Sequence, residues 1–191
     1  SKLRKFVLNF VKKSQIRKKF LKLRENKLKK VKSINHDDII KLLNKKGTKG
    51  KIVGGYYPYN NELDCIQILE KLEKKNYIIS LPKIKKNSQM DFIQWSSKEP
   101  LVINKFGIPE PSSGKIKFPD ILLIPLLSFD KKLNRVGYGG GFYDRYIHRI
   151  KRKKKPLLIG LAYSFQRVKS IPFNRYDKKL DFVVTEKKII E

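Results

Sequence analysis

The chain has 191 residues, 40% of them hydrophobic and 33% charged, and 46 Lys or Arg against 17 Asp or Glu leave a net charge of +29. That length supports one domain with a proper core. The single cysteine, Cys65, excludes an internal disulfide and fits a reducing, cytoplasmic setting, and no apolar run reaches the ~20 residues a membrane helix needs.

The charge predicts attraction to polyanions. Most of it is lysine spread along the whole chain, with abundant isoleucine and asparagine, as a biased codon pool produces. Nucleic-acid readers favour arginine and clustered aromatics. Non-specific nucleic-acid binding at low salt is therefore expected, and a specific nucleic-acid partner is not.

Residues 1–32 carry one acid, Glu25, and Ile16, Phe20, Leu23 and Leu28 share one helical face. Residues 1–12 read as a basic N-terminal extension with a short apolar patch at 6–11 (FVLNFV), and 13–191 as a single domain. The extension is poor in serine and arginine, so an amphipathic helix fits it better than an organelle-targeting segment. The next helix is predicted over 33–44, capped by Ser33 or Asn35, with Asp37 and Asp38 in its first turn. A glycine-lysine loop at 45–51 precedes a strand at 51–57 (KIVGGYY).

Leu63, Ile66, Leu69 and Leu72 mark the clearest helix, with Asn60 or Asn61 as cap and Glu62 and Asp64 at its start. A strand at 77–84 completes a strand-helix-strand unit of the length of a parallel crossover. Residues 87–113 look irregular, apart from a short strand at 90–95 and a rigid turn at 107–111 (GIPEP). The most apolar stretch, 120–129 (DILLIPLLSF), leads to a glycine run and a helix bearing Phe142, Tyr146, Ile147 and Ile150. Five cations at 151–155 suit the end of that helix. Strands follow at 157–163 and 180–184, with a polar loop at 174–181 between them. Alternating strands and helices predict an α/β fold whose mainly parallel sheet is covered on both faces. Ligands in such sheets sit beyond the carboxyl ends of the strands, so the loops after Tyr57, Ile84 and Tyr163 should share one rim with the glycine run.

The glycine run, 135–144 (RVGYGGGFYD), holds four glycines within five residues, between the apolar stretch and the helix. Glycine permits positive φ and close approach to a ligand, and a helix start offers free N–H groups to phosphate. Arg135 adds a cation and Asp144 a first-turn carboxylate fit for a metal. No Walker A and no G-x-G-x-x-G can be drawn through it, and a plain tight turn is the competing reading. His36 and His148 have no partner at metal-ligand spacing, and Cys65 reads as buried and structural. Asp177 and Asp181 lie four apart near a strand start, and either can join Asp144 at a magnesium ion or be a solvated loop carboxylate. Glu62 follows a tyrosine cluster, Tyr56, Tyr57 and Tyr59. Aromatics beside one acid suit a flat heterocycle bearing hydrogen-bond donors, or equally a helix-start acid beside core rings.

Segments 125–130 (PLLSFD) and 135–145 (RVGYGGGFYDR) together resemble the signature of the 5-formyltetrahydrofolate cyclo-ligase family, also called methenyltetrahydrofolate synthetases. Segments 13–17 (KSQIR), 56–64, 107–111, 159–163 with Gln166, and 172–186 agree in the same order, so the resemblance covers about residues 13 to 186. It implies a three-layer α/β/α sandwich similar to the phosphosugar isomerase and CoA-transferase group. It implies ATP- and magnesium-dependent closure of 5-formyltetrahydrofolate to 5,10-methenyltetrahydrofolate, with release of ADP and phosphate after phosphorylation of the formyl oxygen. Carried over by position, it makes Lys13, Arg17 and the loop Arg135, Val136, Gly137, Tyr138, Gly139, Gly140, Gly141, Phe142 and Tyr143 the ATP contacts. Tyr57 and Glu62 become folate contacts together with Tyr138 to Phe142. Arg135 and Tyr143 take catalytic roles, and Asp144 and Asp177, rather than Asp181, become the magnesium ligands. A cytoplasmic monomer is expected, with folate and ATP as its partners. Phe142 stands where the family commonly has tyrosine and Cys65 where threonine is common; Lys12 rivals Lys13. The rival of another class is a basic nucleic-acid-binding protein on the same sheet with a non-catalytic glycine loop. A third reading is an ATP-using enzyme of similar fold that acts on another carboxamide or on a sugar phosphate.

Overall fold

The structure, a computed structural model, describes residues 2–27, 34–48 and 51–191; Leu28, Ser33 and positions 49–50 of the glycine-lysine loop lie outside them. The chain runs α1 (Lys2–Lys27), α2 (His36–Lys45), β1 (Ile52–Gly54), α3 (Ile66–Glu73), β2 (Ile78–Ile84) and β3 (Met90–Gln94). It continues through β4 (Leu101–Ile103), β5 (Pro109–Pro111), β6 (Ile116–Lys117), β7 (Ile121–Pro125), β8 (Ser128–Asp130) and β9 (Arg135–Val136). Last come α4 (Phe142–Ile150), β10 (Leu157–Leu161), β11 (Arg167–Val168), β12 (Phe182–Val184) and β13 (Ile189–Ile190).

Eight strands form the main sheet in the order β13-β12-β10-β7-β1-β2-β3-β6. Its centre, β12 to β2, is parallel, and the antiparallel strands β13, β3 and β6 flank it. Alternate residues of each strand face opposite sides, which sorts the core in two. Ile121, Leu123, Ile159, Leu161, Phe182 and Val184 pack with α2 and α3 through Ile39, Leu43, Ile68, Leu69 and Leu72. Leu122, Ile124, Leu158 and Val183 pack with α4 through Tyr146, Ile147 and Ile150. Three layers follow directly from that parity. Asp120 ties the strand starts together: its Oδ2 accepts from Ile52 N at 2.8 Å and its carbonyl from Leu157 N at 2.8 Å.

Several boundaries differ from the sequence reading. Asn35 caps α2, its side chain accepting from Asp37 N. The helix α3 starts at Ile66, not near residue 62, and neither Asn60 nor Asn61 caps it. Both asparagines have positive φ, 46° and 58°, and Glu62 N bonds to Tyr59 O at 3.1 Å, so residues 59–62 form a tight turn of the I′ kind. A turn asparagine and a cap asparagine use the same side-chain chemistry, and sequence alone does not separate them. The supposedly irregular 87–113 contains the β4–β5 hairpin as well as β3. The apolar stretch 120–129 is divided: β7 ends at Pro125, and β8 belongs to a separate small sheet, β11-β8-β9. The glycine run therefore leaves the hairpin strand β9, which pairs antiparallel with β8, and not the long buried strand. The apolar run continues past Pro125 through Leu126 and Leu127, and β8 is as buried as β7, with Ser128, Phe129 and Asp130 all buried, so the break is poorly marked in the sequence. Among the described residues no helix is long and apolar enough to cross a membrane.

Candidate active site

One cleft of about 540 Å³ opens beyond the carboxyl ends of β1, β2 and β7. Tyr56, Tyr57, Tyr59 and Glu62 wall one side, Ile84, Met90 and Phe106 another, and the whole of 135–144 closes it. A single face of α1 forms the remaining wall, through Phe6, Asn9, Phe10, Lys13 and Arg17. Every site residue expected from the sequence lines this cleft: Lys13, Arg17, Tyr57, Glu62, Arg135 to Tyr143, Asp144 and Asp177. The loop after β10 shares this rim, because β10 runs parallel to β7, but Tyr163 does not line the cleft itself. There Gln166 Nε2 donates to Leu126 O at 2.8 Å and Leu127 O at 3.0 Å, bracing the chain that leaves β7.

The glycine run is shaped by its conformation. Gly139 has φ +99°, and a Cβ there would stand 3.2 Å from Arg17 Cζ. Gly141 has φ +67° and precedes α4 with no side-chain cap, so the first N–H groups of α4 keep their donors uncapped by a side chain. Arg17 Nε donates to Gly137 O at 2.9 Å, which fastens the run to α1. Burial pulls the Arg17 guanidinium below its ordinary pKa, while the Asp177 carboxylate pushes it back.

Two ion pairs line the cleft. Lys13 Nζ meets Asp177 Oδ2 at 2.6 Å, and Arg135 Nη2 meets Asp144 Oδ1 at 2.8 Å. Lys13 is 8% exposed and faces the cleft, whereas Lys12 is exposed and lies on a separate shallow surface with Gln15 and Lys19. Contacts to Asp144 fall on Oδ1, from Arg135 and from Lys178 N, and those to Asp177 fall on Oδ2, from Lys13 and Asn174 N. Among the described residues the other oxygen of each takes no hydrogen bond. Asp181 sits elsewhere, its Oδ2 accepting from Leu158 N at 2.8 Å as a sheet clamp. Arg135 is nearly buried and its Nε has no hydrogen-bond partner among the described residues.

Glu62 stands on the tyrosine wall of the cleft. Its Oε2 accepts from Tyr59 N at 2.8 Å. Burial pushes its carboxyl pKa up to about 7, against the lowering effects of the Tyr59 N–H, the Arg24 cation and the Tyr138 hydroxyl. Tyr143 is driven well above the usual phenol pKa, first by burial and then by Glu62, so it stays a neutral hydrogen-bond donor. Sequence reasoning missed three contributors: Phe6 and Phe10, inside the extension, and Arg24. In the sequence Arg24 is one more cation in a basic helix; the signal available was its place seven residues beyond Arg17, on the same face.

Residues 9–186 match the model of the 5-formyltetrahydrofolate cyclo-ligase family. The chain is 32% identical over 139 residues to the 5-formyltetrahydrofolate cyclo-ligase of Haemophilus influenzae, covering 69% of this chain and 74% of that one. Its fold is similar to that of Aquifex aeolicus 5,10-methenyltetrahydrofolate synthetase, with a TM-score of 0.75, 30% identity, and 94% and 92% of the two chains covered. The 5,10-methenyltetrahydrofolate synthetase of Mycoplasma pneumoniae matches with a TM-score of 0.65 at 25% identity, covering 91% of this chain and 98% of that one. With its sheet, its glycine run and a family match that spans residues 9–186, the chain belongs to the 5-formyltetrahydrofolate cyclo-ligase family.

Proposed function

We propose that the cleft performs the family reaction with ATP held between α1 and the glycine run, magnesium on Asp144 and Asp177, and folate against Tyr57 and Glu62. The chain is an ATP-dependent enzyme that converts 5-formyltetrahydrofolate to 5,10-methenyltetrahydrofolate. The observation that carries the proposal is the meeting, in one cleft, of Lys13, Arg17, Arg135 and the glycine run with Glu62 among Tyr56, Tyr57 and Tyr59.

The formyl oxygen of an amide-like group is a poor leaving group. Transfer of the ATP γ-phosphoryl to that oxygen converts it into a phosphate ester, with ADP as the other product. The neighbouring folate nitrogen then attacks the formyl carbon, and the C–O bond breaks to release phosphate. Positioning and charge stabilisation dominate such chemistry. Lys13, Arg17 and Arg135 supply the cations, and the uncapped start of α4 supplies N–H donors. The free oxygens of Asp144 and Asp177 fit magnesium, which in nucleotide sites takes one or two protein carboxylates and neutralises charge between the phosphates. Glu62 accepts from the amino and ring N–H donors of the pterin, and Tyr143 donates to a developing negative oxygen without losing its own proton.

The test is optical. Protein, 5-formyltetrahydrofolate, ATP and magnesium should generate the near-ultraviolet band of the methenyl product, and omission of either ATP or magnesium should prevent it. No band from folded protein overturns the assignment; a band that ignores magnesium overturns the metal site alone.

A further inference from the structure

We infer that Arg24 is a positioning residue for this reaction: one buried guanidinium locks the turn that carries Glu62 to the phenol of Tyr138, so the folate end and the nucleotide end of the cleft are built as a unit. The inference rests on the reading of Glu62 as a folate contact.

Arg24 lies on α1, is 1% exposed, and does not line the cleft. A buried cation is costly unless its donors are used. Its Nη1 donates to Asn60 O at 2.9 Å and to Tyr138 Oη at 2.7 Å, and its Nη2 donates to Leu126 O at 2.8 Å. The three acceptors belong to three segments: the 59–62 turn, the end of β7, and the glycine run. A planar guanidinium fixes three such directions at once, which an ammonium cannot. No described carboxylate stands within 4.0 Å of it, so ion pairing does not account for its burial. The oxygens it holds belong to parts of the site. Asn60 is in a positive-φ conformation, and its carbonyl is held from α1. The Tyr138 ring stands 6.1 Å from the Tyr59 ring and 5.9 Å from Arg24 Cζ, so it is held between the turn and α1. The field of Arg24 also reaches Glu62 and favours its ionised form.

Charge and geometry separate in two variants. Arg24→Met removes both; Arg24→Lys keeps the charge and loses the fork. In Arg24→Met the folate KM should rise about tenfold or more, with kcat changed less, because a charge-assisted hydrogen bond to the site is lost. The acid limb of kcat/KM for folate, set by Glu62, should move up by about one pH unit as the neighbouring cation disappears. Arg24→Lys should raise the folate KM while leaving that limb in place. Tyr138→Phe, which removes only the hydroxyl, should raise the folate KM, and its effect should not add to that of Arg24→Met in the double variant. A merely structural arginine would lower Tm and the active fraction, with KM, the limb and additivity unchanged; that result overturns the inference. Glu62→Gln serves as the control. If the acid limb survives in it, the folate role of Glu62 has failed, and the Tyr138 cycle alone then decides Arg24.

Discussion

Asp144 is held by one oxygen and offers the other, and this divides what its replacement does. Asp144→Asn keeps the shape but loses the charge that faces the nearly buried Arg135. Turnover should fall at least ~100-fold, because the proposed magnesium ligand and the alignment of Arg135 are lost together. A magnesium titration checks it: unchanged magnesium dependence would remove Asp144 from the metal site. Glu62 gives a different pair of effects. Its folded pKa of about 7 lies above the ordinary value of 4.5. The unfolded chain therefore releases the proton first as pH rises, and stability is lost between those two values, fully so above 7. Glu62→Gln should raise Tm at pH 8, by much less at pH 5, and at the same time raise the folate KM far more than the ATP KM. Thermal melts at both pH values, beside steady-state kinetics, test whether this acid costs stability for the sake of binding.

At the level of elements, α1 and the glycine run are the two walls that must meet. Gly139 has φ +99° and sits against Arg17. In Gly139→Ala the left-handed conformation costs roughly 1–2 kcal/mol, and the new Cβ displaces the guanidinium. The ATP KM should rise several-fold, with less effect on folate; an equal rise in both would mean that the run collapses as a whole. The place of the run in the cleft was legible in the sequence because an arginine and an aspartate adjoin its four glycines, which a plain turn does not call for. The sheet was legible because buried parallel strands read as apolar runs at 77–84, 120–129 and 157–163. The interposed β8–β9 hairpin was not, since hydropathy is continuous through Leu126 and Leu127 into Phe129. Nor was the late start of α3: Leu63 keeps the apolar spacing of the helix while lying outside it, buried, with the Tyr56 hydroxyl donating to its carbonyl at 2.8 Å. Arg24 was hidden by company. One buried arginine among 46 basic residues has no compositional mark, and only the tertiary contacts single it out.

For the molecule as a whole, the charge of +29 acts at two ranges. Inside the cleft, Arg135 with Asp144 and Lys13 with Asp177 are close, partly buried pairs that salt screens weakly. Outside it, exposed lysines sum to a long-range field that draws in polyanions. Both substrates are polyanions, ATP through its phosphates and the folate through its glutamate carboxylates. The apparent affinity for each should therefore fall as salt rises, since the screening length shrinks from about 10 Å at 0.1 M to about 3 Å at 1 M. The chemical step, built on short contacts in the cleft, should change far less. Steady-state kinetics across that range should show both KM values rising several-fold while kcat stays nearly level. Single-stranded RNA should inhibit at low salt by the same attraction and lose its effect at high salt, because a non-specific polyanion has no hold but the released counterions. A kcat that collapses with the KM values would place the salt-sensitive charges inside the cleft. RNA inhibition that survives at high salt would mean a built nucleic-acid site, which lysine scattered over every face does not make.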